Sequence, residues 1–402
     1  MEPGGRRRMA LKVPIYLDYH ATTPLDPRVL EAMVPYLTEH FGNAASRTHA
    51  FGLRAEAAVT VAREEVAEAL GAEPREIVFT SGATESDNLA ILGAARANRA
   101  KGDHVVTSAI EHRAVLDPCR RLETEGYRVT VLPPDRQGMT SAAAVEAALT
   151  QRTILVSVMA ANNEIGTLNP IAAIGRLCKE RGILFHTDAA QAFGKVPMAV
   201  HSIGVDLVSV SGHKICGPKG IGVLYVRALN PRARLEPILF GGGHERGLRS
   251  GTLNVPAIVG LGTAARIAVA EMAEETSRVR ALRDRLETRL LSEIPDAFVN
   301  GHPEERLAGN LNIGFPGVRA DGLMMDVREI AVSAGSACTS ATPEPSHVLR
   351  GIGLSPGEAE VSIRFGLGRF TTEEEVDAAA ERVSRAVRRR RAGGAAPEAR
   401  RA

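Results

Sequence analysis

The residues with the clearest chemical potential surround a lysine. Residues 210–220 read VSGHKICGPKG, so Lys214 follows an apolar, strand-like run and lies among Ser, Gly and His. A lysine amine forms a Schiff base with a carbonyl compound when its surroundings lower its pKa from about 10.4. A lysine in a loop is far more often an ordinary surface residue. The loop alone leaves both interpretations open.

A second string ends in a carboxylate that could act with this lysine. Residues 183–188 read ILFHTD, and Gln191 follows three residues after Asp188. Ligands of open α/β sheets bind at the carboxyl ends of strands, so Asp188 and Lys214 are expected to open onto one crevice. An Asp for the ring nitrogen and a Schiff-base Lys are what pyridoxal phosphate requires of a protein. Viewed alone, Asp188 could instead cap a helix.

A phosphate cradle is predicted at residues 81–84, which read SGAT between a strand and a helix. Ala83 and Thr84 would offer backbone N–H groups and a hydroxyl at the helix N-terminus, and Ser211 and His213 could add donors. The chain has no GxxxxGK[ST] motif and no GxGxxG after a strand. This absence argues against a nucleoside triphosphate or a dinucleotide as ligand.

Two further polar residues follow strands and would face the same crevice. The ring of His112 could stack on a cofactor ring, although a single His is more often a structural residue. The amide of Asn163 could bond a ring oxygen or only shape a turn.

Cys338 and Arg364 complete the candidate residues. Residues 333–340 read SAGSACTS, a run of small side chains that predicts a mobile loop presenting the Cys338 thiol, whose thiolate form is nucleophilic. Arg364 lies in the apolar run VSIRF, where an unpaired guanidinium is costly. A substrate carboxylate or an internal Asp or Glu would satisfy it equally well.

The elements that position these residues alternate between helix and strand. Short apolar runs predict seven strands, at residues 76–80, 104–108, 128–132, 154–159, 183–187, 206–210 and 222–225. Helical patterns separate them, which indicates an α/β domain with a mostly parallel seven-stranded sheet. A long helical stretch at residues 264–291 leads to a smaller α+β domain. We expect a large domain over 22–262, a small one over 9–21 and 263–387 with the Cys338 loop at about 330–346, and a basic flexible tail over 388–402.

Composition limits the classes of protein. Of the 402 residues, 44% are hydrophobic and 24% charged, which is typical of folded soluble domains. Both basic ends carry clustered Arg, so the body between them is net negative, and we expect no direct nucleic-acid partner. No apolar run approaches the roughly 18 residues of a membrane span. Four cysteines without CxxC spacing favour a reducing cytoplasm, and the N-terminus lacks the apolar region of a secretory signal; Met9 is an alternative start.

Taken together, the motifs resemble the cysteine desulfurases of the housekeeping and nitrogenase-associated type, within the fold-type I pyridoxal-phosphate enzymes of aminotransferase class V. The resemblance covers about nine-tenths of the chain. It includes the lysine loop and the strings YLDYHATTP at 16–24, FGN at 41–43, TSGATESDN at 80–88, GGGHER at 241–246, RSGT at 249–252 and RFTTEEE at 369–375.

This resemblance implies a role for each residue. Lys214 would bind the cofactor covalently, Asp188 its ring nitrogen, His112 its ring face, and Asn163 and Gln191 its phenolic oxygen. The phosphate would be bound by Ala83, Thr84, Ser211, His213 and the neighbouring subunit's Thr252, which implies a homodimer. Arg364, with Asn163, would bind the carboxylate of L-cysteine. Cys338 would accept the sulfur as a persulfide, releasing alanine, in a loop similar to the longer group I form.

The resemblance also implies partners. An iron-sulfur scaffold or a sulfur-carrier protein would receive the sulfur, and no intrinsic metal is expected, although Cys338 could contact an iron-sulfur cluster during transfer. Residues 388–394 read RRRRAGG where related enzymes carry a scaffold-docking tail, so docking by that route is an open question. Alternatives are selenocysteine lyase, an aminotransferase, or a non-catalytic assembly partner. Packing is the default role of Cys119, Cys178 and Cys216.

Overall fold

The computed structural model describes residues 13–229, 232–335 and 345–394. Its strands are β1 (Ile15–Tyr16), β2 (Ile77–Thr80), β3 (His104–Ser108), β4 (Arg128–Leu132), β5 (Thr153–Ser157), β6 (Leu184–Asp188), β7 (Leu207–Ser211), β8 (Gly222–Val226), β9 (Phe298–Asn300), β10 (Asn310–Gly314), β11 (Ile330–Ala331) and β12 (Ser362–Gly366). Its helices are α1 (Pro27–Thr38), α2 (Ala50–Leu70), α3 (Ala83–Ala97), α4 (Arg113–Thr124), α5 (Ala142–Ala148), α6 (Ile171–Arg181), α7 (Val200–Ile203), α8 (Val255–Ala270), α9 (Met272–Glu293), α10 (Ala320–Asp326), α11 (His347–Gly351), α12 (Pro356–Glu360) and α13 (Glu373–Gly394).

The main feature is a seven-stranded sheet in the order β2-β8-β7-β6-β5-β3-β4. All neighbouring pairs are parallel except those of β8, which is antiparallel to both β2 and β7. The predicted α/β class and the seven strands are therefore confirmed, with strand ends within two residues of the expected positions. The reversal of β8 places its first residue beside the last residues of β2 and β7.

Both faces of this sheet are buried, which explains why its strands are apolar throughout. Phe79 and Val106 pack into a core on one face, whereas Val78 and Val105 pack into a core on the other. Successive side chains of a strand point to opposite faces, and helices must cover both faces of such a sheet.

A smaller sheet of β9, β10 and β12, antiparallel throughout, forms the second unit. Its core includes residues of α9 and α13 and also Ile15 and Leu17, so the N-terminal segment packs with the C-terminal part of the chain. The expected domain boundary after residue 262 lies inside α8. Side chains as far as Ala268 belong to the large-domain core, and the small-domain core begins at Val279 in α9, so the change of core falls near the α8–α9 junction.

The start of the expected flexible tail is helical instead. Helix α13 continues to Gly394, beyond the predicted end at 387. Arg390 Nε donates to Asp326 Oδ2 at 2.7 Å, and Arg391 Nη2 donates to the carbonyl of Pro316 at 2.8 Å. These bonds attach the basic run to α10 and to the loop before it, which accounts for the two additional turns.

The expected Cys338 loop begins at β11 and ends at α11. Residues 336–344, which include Cys338, lie outside the described residues. Within the described ranges, no single helix has both the length and the hydropathy of a membrane span; α8 and α9 reach them only when joined across a bend of 72°.

Candidate active site

A cavity of about 430 Å³ opens where strands of the large sheet end. Its lining contains ten of the predicted site residues: Ala83, Thr84, His112, Asn163, Asp188, Gln191, Ser211, His213, Lys214 and Arg364. Thr252 is exposed and is not among the described residues that line it. The structure thus brings together all the candidates it describes except the one expected from a second subunit.

Lys214 lies in a single helical turn, residues 212–214, directly after β7. Its Nζ donates to the carbonyls of His20 at 2.6 Å and Ala21 at 2.8 Å. Both carbonyls belong to the segment that follows β1. The amine is therefore positioned between the large sheet and the N-terminal segment, where Lys214 lines the cavity.

Asp188 is the last residue of β6 and is buried. Its Oδ1 accepts from the N–H of Ala190 at 2.8 Å. Burial, and then the nearby Asp87 carboxylate, raise the pKa of Asp188 to about 6, while the His112 imidazole opposes that rise. A cationic ring nitrogen would favour the ionised form of this carboxyl group.

His112 is the N-cap of α4, and its Nδ1 accepts from the N–H of Ala114 at 3.1 Å. Because Nδ1 accepts, Nε2 carries the proton of the neutral ring. The residue therefore has a fixed tautomer as well as a place in the cavity lining. The cap supplies the structural role that the sequence left open, and the cavity leaves the ring-stacking role available.

The predicted phosphate end combines three segments. The turn at 81–84 leads into α3, whose first N–H groups lack partners within the helix. His213 lies at the same cavity with Nδ1 3.1 Å from Thr22 Oγ1, and burial lowers its pKa to about 4, so the ring is neutral at pH 7. Ser211 ends β7 beside them. The region offers hydroxyl, imidazole and backbone donors, as an anion requires.

A glycine contact determines how closely these segments approach. Gly222, the first residue of β8, pairs with Thr80 on one side and Ser211 on the other. A Cβ at Gly222 would lie 2.6 Å from Cα of Gly82 and 2.5 Å from the carbonyl O of Val210. Only glycine allows the phosphate turn to lie this close to the lysine loop.

His20, which was not among the predicted site residues, lines the cavity and is buried. Gln191 Nε2 donates to the His20 carbonyl at 2.9 Å, and Gln191 Oε1 accepts from Lys195 Nζ at 3.2 Å. This fixes the amide orientation, so His20 Nδ1, 3.0 Å from Oε1, is the donor. Burial and nearby cations hold the pKa of His20 well below its usual value, and the ring is neutral.

Arg364 lies in β12 and is 1% exposed. Its Nη2 donates to Asp18 Oδ1 at 2.8 Å, and its Nη1 donates to the backbone carbonyl of Asn163 at 2.9 Å. The other oxygen of Asp18 accepts from Ser333 Oγ at 2.9 Å. The two partners left open by the sequence are therefore not exclusive: an internal carboxylate is present, and the guanidinium still lines the cavity.

The described residues that flank 336–344 also lie near these groups. Ser333 and Arg364 exchange two backbone hydrogen bonds, of 2.7 and 3.2 Å. On the other side, Ser346 Oγ donates to Glu164 Oε2 at 2.5 Å. Glu164 follows Asn163 directly, so both flanks are attached beside the cavity.

Comparison with known proteins identifies the class. Residues 15–379 match the sequence model of the aminotransferase class-V family. The chain belongs to the aminotransferase class-V family.

Individual relatives narrow the class further. A cysteine desulfurase IscS of Anaeromyxobacter dehalogenans (strain 2CP-C) is 58% identical over 95% of this chain and 94% of its own. A solved NifS-like protein matches with a TM-score of 0.86 and 37% identity, covering 92% of this chain and 98% of its own. The solved structure of SspA in complex with cysteine matches with a TM-score of 0.78 and 40% identity, covering 89% and 99%. The resemblance to cysteine desulfurases is therefore confirmed.

Proposed function

We propose that this chain is a cysteine desulfurase that uses pyridoxal phosphate, removes sulfur from L-cysteine and releases L-alanine. The main support is that a single cavity is lined by a lysine amine, a buried carboxylate and a buried arginine: Lys214, Asp188 and Arg364. The desulfurase activity agrees with the names of relatives that are 54–58% identical over more than nine-tenths of the chain.

The residues present fit pyridoxal phosphate. The volume of about 430 Å³ is in the range of small-molecule sites. Asp188 would bind the ring nitrogen, and the first turn of α3, with Ser211 and His213, would bind the phosphate. Lys214 would hold the cofactor by its amine, and His112 would lie against the ring. When bound, the cofactor supplies an electron sink that stabilises negative charge at the Cα of an amino acid.

Three further assignments concern the remaining residues. Arg364 would bind the carboxylate of L-cysteine, and the Asn163 and Gln191 side chains would bond the cofactor's phenolic oxygen. Once substrate is bound, the Lys214 amine would move the Cα proton. Its two carbonyl partners, on His20 and Ala21, accept hydrogen bonds from Nζ and would keep the amine in place.

Sulfur transfer would use Cys338, whose placement lies outside the described residues. Its thiolate would attack the substrate sulfur, forming an S–S bond while the substrate Cβ–S bond breaks. The electron pair of that bond remains on Cβ, which takes a proton, so L-alanine leaves and Cys338 holds a persulfide. The attachment of the flanking Ser333 and Ser346 beside the cavity supports this role. By contrast, burial raises the pKa of the Cys119 and Cys178 thiols to about 12, which disfavours their thiolates.

The chain would act as a homodimer. Aromatic and aliphatic side chains are exposed in α1, α2 and loops, among them Leu37, Phe51, Phe41 at 68% and Phe240 at 80%, and the rings of Phe41 and Phe51 lie 5.4 Å apart. Large exposed apolar patches mark interaction surfaces, and a second copy is the occupant that would also bring an exposed Thr252 to a partner's phosphate end.

The sulfur acceptor would be an iron-sulfur scaffold or a sulfur-carrier protein, since a persulfide must pass to another thiol or cluster. Cys119, Cys178 and Cys216 are free thiols. Free thiols are typical of a reducing compartment, and we place the activity in the cytoplasm as part of this proposal.

The test compares wild-type holoenzyme with Cys338→Ser and with Cys178→Ala as a matched control thiol. Each is incubated with L-cysteine and dithiothreitol, and sulfide and alanine are quantified together. We expect equal sulfide and alanine from wild type and control, and at least about a hundredfold loss in Cys338→Ser, because a nucleophile is removed. Unchanged turnover in Cys338→Ser would refute the sulfur-acceptor role, and transfer of the amino group without sulfide would indicate an aminotransferase.

A further inference from the structure

Arg364 already has a carboxylate partner before any substrate binds. Asp18 Oδ1 lies 2.8 Å from Nη2, and the guanidinium is 1% exposed. The interaction is thus a buried ion pair, in which a missing partner would leave an uncompensated charge. A substrate carboxylate that binds the same guanidinium must share it with Asp18.

The geometry leaves room for such sharing. A guanidinium has five N–H groups, and the described structure uses one on Asp18 and one on the Asn163 carbonyl. Nε of Arg364 is buried and has no hydrogen-bond partner among the described residues. A second carboxylate can therefore be accommodated by the arginine, but two like charges then lie on one cation and repel each other.

The position of Asp18 is fixed independently of Arg364. Its Oδ2 accepts from Ser333 Oγ at 2.9 Å. In addition, Asp18 forms a parallel bridge with Gly366 of β12, two residues from the arginine. The carboxylate consequently remains beside the guanidinium when a ligand arrives.

We infer that Asp18 is a positioning residue that limits the affinity of Arg364 for amino-acid carboxylates and so allows product to leave. The inference rests on the proposed role of Arg364. L-cysteine and L-alanine carry the same α-carboxylate, so an unopposed buried arginine would retain the product as firmly as the substrate. Asp18 holds the guanidinium in place between turnovers and weakens its hold on both ligands.

The test measures binding of a carboxylate that lacks an amine. The dissociation constant of propionate from holoenzyme is determined by ligand-observed NMR, and the inhibition constant of L-alanine is measured beside it. In Asp18→Asn the hydrogen-bonding shape is retained and the charge is lost, so we expect about tenfold tighter binding of both ligands. A tightening of this kind is not produced by structural damage, which weakens binding.

Ser333→Ala is the matched control, because it removes a bond to Asp18 but keeps its charge; we expect a change of less than about twofold. Asp18→Ser provides a second neutral variant, in which a hydroxyl replaces the carboxylate, should Asp18→Asn not fold. Unchanged or weaker propionate binding in the neutral variants would overturn the inference.

Arg364→Gln separates the two proposals. We expect it to abolish propionate binding. If it does so while the neutral Asp18 variants bind as wild type, only the role of Asp18 is wrong. If propionate binds equally well to Arg364→Gln, the carboxylate role of Arg364 is wrong, and the inference is overturned with it.

Discussion

The cavity has two sides that are built differently. The floor, defined as Asp188, Ser211 and residues 81–84, is formed by the ends of strands in one sheet and by the main chain that follows them. The wall, defined as Arg364 with Asp18 and Asn163, joins three distant parts of the chain through charge and hydrogen bonds. Backbone geometry alone therefore positions the floor, whereas the wall also depends on side-chain contacts between distant segments.

The floor and the wall are therefore expected to have different roles. The floor residues have the chemistry needed to hold a cofactor, and their positions cannot change without disturbing the sheet. The wall contains the Arg364 guanidinium, whose affinity for a carboxylate depends on its partner Asp18. We expect changes at the floor to remove catalysis or cofactor, and changes at the wall to alter substrate affinity.

The largest expected effect is at Lys214, which extends from the floor. Lys214→Ala should lower kcat for alanine formation by at least about a thousandfold, because a positioned proton-transfer group and a covalent attachment are lost together. Alanine and sulfide formation are measured after cofactor content has been equalised. Lys195→Met is the matched control, because it removes a different amine, the one that contacts Gln191. It should lower kcat by less than about tenfold. Similar losses of kcat in the two variants would show that Lys214 has no catalytic role beyond that of Lys195.

A smaller effect is expected at the wall. Arg364→Lys keeps the charge but loses the planar fork, so KM for L-cysteine should rise about a hundredfold while kcat changes much less. Steady-state rates give this split, and the visible absorption of the holoenzyme should stay as in wild type. A fall in kcat with unchanged KM would show that Arg364 acts in catalysis, as expected of the floor, and not in substrate binding.

The smallest effect concerns the free energy of unfolding. Asp87 is buried, and its Oδ1 lies 3.5 Å from Nε2 of His186 in β6, the strand that ends at Asp188. Burial raises the pKa of Asp87 to about 7 and lowers that of His186 to about 4. Considered alone, Asp87 binds more protons in the folded state than in the unfolded chain between about pH 4 and pH 7, whereas His186 does the reverse between about pH 4 and pH 6.5. The contribution of Asp87 is fully present below pH 4 and is lost as the pH rises through 7.

Asp87→Asn resembles the protonated form and removes this dependence. Between pH 5 and pH 7, wild type should lose about 2 kcal/mol of unfolding free energy relative to Asp87→Asn. Urea unfolding of the apoprotein at both pH values measures the difference. Asp117→Asn, which changes an exposed carboxylate, is the control and should show none of it. A parallel pH response in wild type and Asp87→Asn would show that Asp87 is ionised in the folded state.

The floor could be predicted from the sequence because its residues follow apolar runs directly. Once the runs before Asp188 and Lys214 were assigned to one parallel sheet, their meeting followed from the topology. The reversal of β8 could not be read from its composition, because apolar strands of either direction have the same residues. The helix through 388–394 was also missed, since the carbonyl that holds Arg391 comes from a distant loop.

The wall could be predicted only in part. Arg364 stood out as a charge in an apolar run, but its partner was left open between substrate and protein. Asp18 lies in the equally apolar run IYLDY, so two opposite charges in two apolar runs were a signal that they pair. His20 gave no such signal, because its role depends on the orientation of the Gln191 amide.

The contact between Gly82 and Gly222 has a consequence for which molecules the site accepts. The close approach of Gly222 to Gly82 fixes where the turn at 81–84 lies relative to the end of β7, which leads into the lysine loop. A ligand that engages both the turn and the Lys214 amine must therefore have a matching length. A side chain at Gly222 would push the turn away, and because it would also meet the Val210 carbonyl, it would disturb the pairing of β7 with β8 and with it the size selection of the cavity.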